Sequence, residues 1–185
     1  GSGLMITNPR DFRGFIKQLR RHPPMFFAGV NTLFNALMNT PGFSQLNFKS
    51  LVGTFGGGMA VQQVVAERWK KITGCNITQG WGLTETSPVA CGNPMVGSDA
   101  EFNGSVGLPL SSTEISIRDE GGADVGINSP GEICVRGPQV MRGYWQRPED
   151  TANVMLPDGW LRTGDIGRID EHGFVYIEDR KKDMI

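Results

Sequence analysis

Apolar residues recur along the first half of the chain with the period of a helix face. Phe12, Phe15, Ile16 and Leu19 predict an amphipathic helix. "MFFAGV" (25–30) is a short apolar run and reads as a buried strand. "NTLFNALMN" (31–39) returns to helical spacing through Leu33, Phe34 and Leu37, and Pro41-Gly42 stops it. "SLVGTF" (50–55) predicts a second strand. Val61, Val64, Val65, Trp69 and Ile72 then mark a helix that ends at Gly74. "NIT" (76–78) is a third strand leading into "QGWGLTETS" (79–87). Strands separated by helices of this length predict an α/β subdomain over 4–103, a parallel sheet with crossover helices. After residue 104 the pattern changes. "TEISIRDEGG", "GEICVRG", "WLRTGDIGRID" and "GFVYIEDR" are short strand signals between Gly, Pro and Asp turns, with one short helical turn near "RPEDTANVM". Residues 104–178 therefore read as a small β-rich subdomain, mostly antiparallel and barrel-like or a sandwich.

Composition narrows the class. At 38% hydrophobic and 20% charged residues, the chain can bury a core, which argues against disorder. A formal net charge of −1 gives no global field for nucleic acid. The stretch 9–21, "PRDFRGFIKQLRR", is locally basic; it is either a solvated helix face or a contact for anionic lipid. Three cysteines without short paired spacing argue against a disulfide framework or a zinc site. Two histidines, each beside a turn signal, argue against a histidine metal site or a Ser-His-Asp triad. No run of 18 apolar residues appears. The opening "GSG" (1–3) reads as a cloning remnant, and the chain as a piece of a longer protein.

The chemistry concentrates at three joints. Ligands of parallel sheets bind at the carboxyl ends of the strands, where "FGGGM" and "QGWG" fall. Neither is a phosphate loop, which needs a lysine. A flat ligand can lie on bare backbone at Gly57 and Gly58 under the Trp81 indole; alternatively Trp81 fills the core and the glycines make turns. The Thr84 hydroxyl can donate to a phosphate oxygen, and the Glu85 carboxylate beside it can hold Mg²⁺; the plainer alternative is a capping threonine and a solvated acid. In "GWLRTGDIG" (159–167), Asp165 between Gly164 and a strand can accept both hydroxyls of a ribose, or be an ordinary turn residue. Arg180, in "DRKKDMI" (179–185), can reach ribose or phosphate.

In this order the segments resemble the adenylate-forming superfamily, which includes acyl-CoA ligases, peptide adenylation domains and beetle luciferases. "GWGLTET" resembles its aromatic-Gly-x-Thr-Glu motif, "WLRTGDIG" its Thr-Gly-Asp motif, "DRKKDMI" its hinge, and "FGGGM" its adenine-contacting loop. The likeness is strongest to bacterial long-chain fatty-acid–CoA ligases, through "ITNPRDF", "GVNTLFNAL", "GGGMAVQQVVAERW" and "GPQVMRGYWQRPE". The resemblance implies a ligase that joins a fatty acid to CoA at the expense of ATP, through an acyl-adenylate, giving AMP and pyrophosphate. It implies that Trp81 stacks on adenine, Thr84 touches the adenylate phosphate and Glu85 binds Mg²⁺. Gln79 and Gly80 would line the nucleotide and acyl site, Asp165 would hold the ribose with Arg180 assisting, and Lys182 would be the hinge residue.

The family's phosphate loop, with its lysine, would lie upstream of these residues, and its carboxy-terminal domain beyond Asp183, so residues 179–185 read as a hinge. On that expectation the piece is inactive by itself. The expected parent is cytoplasmic, with peripheral membrane contact, and a sheet edge left open makes a homo-oligomer an expectation too. A ligase for medium-chain or aryl acids, and a non-catalytic nucleotide- or acyl-binding module, are the alternative readings.

Overall fold

A computed structural model describes residues 10–95 and 102–180 together with Gly3, Ile6 and Asn8, with backbone alone at Arg180. Contacts divide the chain into a first unit, Gly1–Gln79 with Met95–Gly104, and a second, Gly80–Pro94 with Ser105–Ile185.

The first unit alternates helices and strands as the periodicity predicts, but the strand over 25–30, read as buried, exposes Met25 and Phe26, and Val64 of the expected apolar helix face is 67% exposed. Helix α1 (Phe12–Arg21) starts at Asp11, whose carboxylate accepts the Gly14 N–H at 3.0 Å, satisfying one of the helix's open donors. Arg20 and Arg21 occupy its last turn, where the helix dipole favours cations. Strand β1 (Phe26–Gly29), helix α2 (Asn31–Asn39), strand β2 (Gly53–Gly56), helix α3 (Gln63–Thr73) and strand β3 (Ile77–Trp81) follow. β1 pairs with β2 and β2 with β3, both parallel, in a register that sets Phe27 beside Thr54 and Thr54 beside Ile77. The helices are the crossovers that parallel pairing demands.

Trp69 on α3 organises this unit's core. It is 1% exposed, and its ring centroid lies 4.9 Å from Phe34, 5.4 Å from Phe43 and 5.5 Å from Phe27. Its indole N–H would be an unpaired buried donor, but it donates to the Thr54 hydroxyl at 3.1 Å. One side chain thus fastens α3 to α2, to the 3-10 turn at Phe43–Gln45 and to the middle strand.

In the second unit, β4 (Cys91–Gly92) runs antiparallel to Gly80 and Trp81, and β5 (Leu108–Pro109) antiparallel to β4. Four longer strands then form a meander: β6 (Glu114–Arg118), β7 (Gly131–Arg136), β8 (Leu161–Ile169) and β9 (Val175–Arg180). The expected antiparallel pairing is present. Among the described residues the sheet stays open, with β6 and β9 as its edges, so it is not a closed barrel. The helical turn near residue 150 is α4 (Pro148–Val154), with Pro148 at its start and Glu149 and Asp150 in its first turn, as a helix amino terminus favours. Ala90, Cys91, Val106, Ile117, Ile133, Val135 and Val175 form the core, and Trp81 packs half-buried against it.

Two predictions follow from these cores. Trp69→Ala should cost about 3–5 kcal/mol in denaturant unfolding, the range for deleting a large buried aromatic; a loss below about 1 kcal/mol would remove Trp69 from its organising role. Burial pushes the Cys91 thiol up to about 12 and the Cys134 thiol up to about 11, whereas Cys75 is only half-buried. Iodoacetamide at mildly alkaline pH should therefore label Cys75 ahead of the other two, because the thiolate is the nucleophile; mass spectrometry finding Cys91 modified first would contradict this.

Candidate functional site

The motif "QGWG" was expected to follow a strand that ends at residue 78. Instead β3 runs on through Trp81, because Gly80 and Trp81 gain a partner in β4 that the local sequence does not announce. Gly82 then turns the chain against its own return. A side chain there would clash with the Pro88 carbonyl oxygen, so only glycine lets the two backbones approach. Trp81 and Ala90 close the loop with a bond from the Ala90 N–H to the Trp81 carbonyl at 2.8 Å. Inside it, Thr84–Thr86 make a 3-10 turn. Fully buried Thr86 holds that turn: its hydroxyl accepts the Leu83 N–H at 2.8 Å and donates to the Leu83 carbonyl at 3.0 Å. Thr84 is left exposed at the turn's start and Glu85 half-buried beside it.

Asp165 was expected between a turn at Gly164 and a strand. It lies within β8, in an irregularity of the ladder. Glu132 of β7 is opposite Ile166, and Cys134 is opposite Arg162. Ile133 therefore faces three residues, Thr163, Gly164 and Asp165, and the surplus bulges out. Gly164 supplies the left-handed step, at φ +74°. The Thr163 hydroxyl donates to the Ile133 carbonyl at 2.7 Å and accepts the Asp165 N–H at 3.1 Å. The Gly164 N–H donates to Glu132 Oε1 at 3.1 Å, while Arg162 bonds Glu132 Oε2 through Nε at 2.9 Å and Nη2 at 2.8 Å. On β9 the backbone of Arg180 is the register partner of Asp165.

The two motifs meet. Trp81 Nε1 donates to Asp165 Oδ2 at 2.9 Å across 84 residues of sequence, and Asp165 is only 5% exposed. Glu85 has a partner that sequence reasoning passed over: Tyr144, whose hydroxyl donates to Glu85 Oε1 at 2.7 Å. The Met141 N–H also donates to the Glu85 carbonyl, at 2.8 Å. Glu85, Tyr144, Glu132, Arg162, Thr163 and Gly164 line a cavity of about 520 Å³. The sign of these partners was present in "GEICVRG" and "GYWQRPE", but nothing in either segment alone names its contact.

In the first unit, Gly57 follows β2 and its N–H donates to the Gly29 carbonyl at 3.2 Å, while Gly58 has φ +74°. Gln79 is 4% exposed, and its Oε1 accepts the Val61 N–H at 2.8 Å; that side chain braces the loop after β2. Lys182, the other hinge residues 181–185 and the opening Gly1 and Ser2 lie outside the described residues.

The described chain is thus an α/β unit and a β-rich unit, with an indole and a buried carboxylate joined in the second. The AMP-binding enzyme family matches residues 1–145, and the chain belongs to that family. Over its whole length it is 54% identical to a long-chain-fatty-acid–CoA ligase of Yersinia pestis and 54% identical to one of Escherichia coli O157:H7, covering 32% of each. The chain thus spans about a third of the curated relatives it matches. Among solved structures it is similar to the anthranilate CoA ligase AuaEII in complex with anthranoyl-AMP, with a TM-score of 0.88 and 26% identity over 98% of this chain and 34% of that one.

The Tyr144–Glu85 bond has a spectroscopic signature. The hydrogen bond to Glu85, then burial and the carboxylate's charge, hold the Tyr144 phenol above its ordinary ionisation range. A Tyr raised on folding contributes stability that is present below its unfolded value and lost as pH rises through the folded one. Ultraviolet difference titration against Tyr144→Phe should place this phenol high, and Glu85→Gln should bring it down. An unshifted phenol in the Glu85→Gln protein would disprove the contact.

Proposed function

We propose that the protein carrying this chain is an AMP-forming long-chain fatty-acid–CoA ligase. The observation that carries the reading is the Trp81–Asp165 bond, which brings an aromatic face and a buried carboxylate together from distant motifs. The 54% identity to named long-chain ligases supports the substrate class. In this reading the fatty carboxylate attacks the α-phosphate of ATP, a carboxyl–phosphate bond forms and pyrophosphate leaves. The CoA sulfur then attacks the acyl carbonyl and AMP leaves. A carboxylate is a weak nucleophile, so catalysis is positioning and stabilisation of charge.

Trp81 lays its ring on adenine, and Asp165 accepts the ribose hydroxyls, with Arg180 opposite it in the ladder. The exposed Thr84 hydroxyl donates to the α-phosphate. The family resemblance assigns the nucleotide and acyl group further contacts at Gly57, Gly58, Gln79 and Gly80. Glu85 suits Mg²⁺, which typically takes one or two carboxylates together with substrate phosphates. Among the described residues no group of three or more His, Cys, Asp or Glu is gathered, and a single carboxylate fits a cation that arrives with the nucleotide. When bound, Mg²⁺ neutralises phosphate charge. Lys182 serves as the hinge.

The basic residues Arg13, Lys17, Arg20 and Arg21 of α1 are exposed, whereas Phe15, Ile16 and Leu19 are in the core. Peripheral membrane contact in this reading is therefore electrostatic. No helix among the described residues is long and apolar enough to cross a membrane.

The full-length protein should convert ATP, a long-chain fatty acid and CoA into AMP, pyrophosphate and acyl-CoA. Release of ADP would falsify the mechanism. Glu85→Gln should lower kcat/KM for pyrophosphate release by about 10²-fold, as loss of one charge-stabilising group does, with thermal unfolding little changed. Wild-type rates in that variant at limiting Mg²⁺ would remove Glu85 from the site.

A further inference from the structure

The mechanism leaves one buried acid without a part. Glu132 is 6% exposed on β7 and carries a charge that is costly to bury without strong partners. Its partners are specific. Arg162 binds Oε2 through two nitrogens, at 2.9 and 2.8 Å, and Oε1 accepts the Gly164 N–H at 3.1 Å. Gly164 is the middle residue of the bulge that Thr163 and Asp165 complete, and it holds a left-handed conformation at φ +74°. A bulge of three residues against one has lost its ladder bonds there, so its shape depends on whatever replaces them. Two groups do so on the β7 side: the Ile133 carbonyl, through Thr163, and the Glu132 carboxylate, through Gly164. The next residue along the bulge is Asp165, whose carboxylate reaches Trp81.

We propose that Glu132 is a positioning residue for the nucleotide's ribose. Clamped by Arg162, its carboxylate fixes the Gly164 peptide and so sets the direction of the Asp165 carboxylate toward the 2′- and 3′-hydroxyls. This rests on the reading of Asp165 as the ribose acceptor. Glu132 itself touches no substrate. An amide at this position keeps an acceptor for Gly164 but loses the charge that holds Arg162, and the clamp loosens. Because a diol needs both hydroxyls aligned to one carboxylate, a small rotation of Asp165 affects hydroxyl recognition while leaving ring stacking on Trp81 in place.

The test is nucleotide binding by the full-length protein, measured by calorimetry with ATP and with 2′,3′-dideoxy-ATP. Wild type should prefer ATP by about tenfold or more, the worth of one or two charge-assisted hydrogen bonds. Glu132→Gln should bring that preference close to one, chiefly by weakening ATP, and should raise the KM for ATP while leaving the KM for fatty acid alone. A merely structural role would weaken both nucleotides together and keep their ratio, and that result overturns the proposal. If Glu132→Gln does not fold, Arg162→Gln, which frees Glu132 from its clamp, decides by the same ratio. A wild type that does not distinguish the two nucleotides refutes the ribose role of Asp165 and the proposal with it. A wild type that distinguishes them beside a Glu132→Gln variant that does so equally well refutes the proposal alone.

Discussion

The indole–carboxylate bond between Trp81 and Asp165 needs two separate pieces of backbone to be irregular in the right way. One is β3, which must continue past its parallel partner far enough to place Trp81 on an antiparallel ladder with β4. The other is β8, which must carry two residues more than β7 between its paired positions. A regular β8 would alternate its side chains and commit Asp165 to one face of a flat sheet. The bulge turns it out of that alternation and buries it beside the indole. Each irregularity is fixed by side chains of its own segment or of a neighbouring strand: Thr86 within the 3-10 turn, Thr163 and Glu132 at the bulge. The polar residues here that look decorative in sequence therefore do structural tasks that regular hydrogen bonding cannot do.

Much of the first unit was legible because its forces are local and periodic. The helix predicted over 31–39 is α2, and the helix predicted to end at Gly74 ends there in the left-handed conformation, at φ +74°. Burial of Phe34, Leu37, Val65 and Trp69 follows from the helical period. The antiparallel character of the second unit was legible from strand and turn signals. What was not legible depends on pairing. No pattern in "NITQGW" says whether the strand stops at Thr78 or Trp81, since that is decided by Cys91 and Gly92. No pattern in "LRTGDIG" distinguishes a turn from a bulged strand, since that is decided by the Glu132–Cys134 register. The motifs named the candidate residues, and the long-range ladder determines how they are held.

The four tryptophans show how far residue identity falls short of role. Trp69 and Trp81 both donate their indole N–H, but Trp69 gives it to a threonine inside a core and Trp81 to a carboxylate at the edge of one. Trp160 is 7% exposed between strands, with the guanidinium carbons of Arg118 and Arg136 each 4.7 Å from its ring centroid. Those cations answer to Asp158 and Glu114, so Trp160 belongs to a charged cluster that joins β6 and β7 to the loop before β8. Trp145 is 87% exposed next to Tyr144, the residue that bonds Glu85. Only the acceptor of each N–H and the charge near each ring separate a packing residue from a candidate ligand contact.

Charge sets the last constraint on what the second unit can contribute. Its cavity is lined by two carboxylates, Glu85 and Glu132, and by one cation, Arg162. Arg162 is already engaged with Glu132, so neither adds much net field. A triphosphate entering such a cavity meets no uncommitted cation among the groups that line it. In the proposed reaction Glu85 suits a metal ion carried in with the phosphates, because Tyr144 holds its carboxylate and the Met141 N–H holds its backbone carbonyl before any ligand arrives. A carboxylate held in place loses little entropy on binding a cation, whereas a freely rotating one must be ordered first. In the proposed reaction this unit would therefore orient the nucleotide, while Glu85 would hold the Mg²⁺ that neutralises phosphate charge.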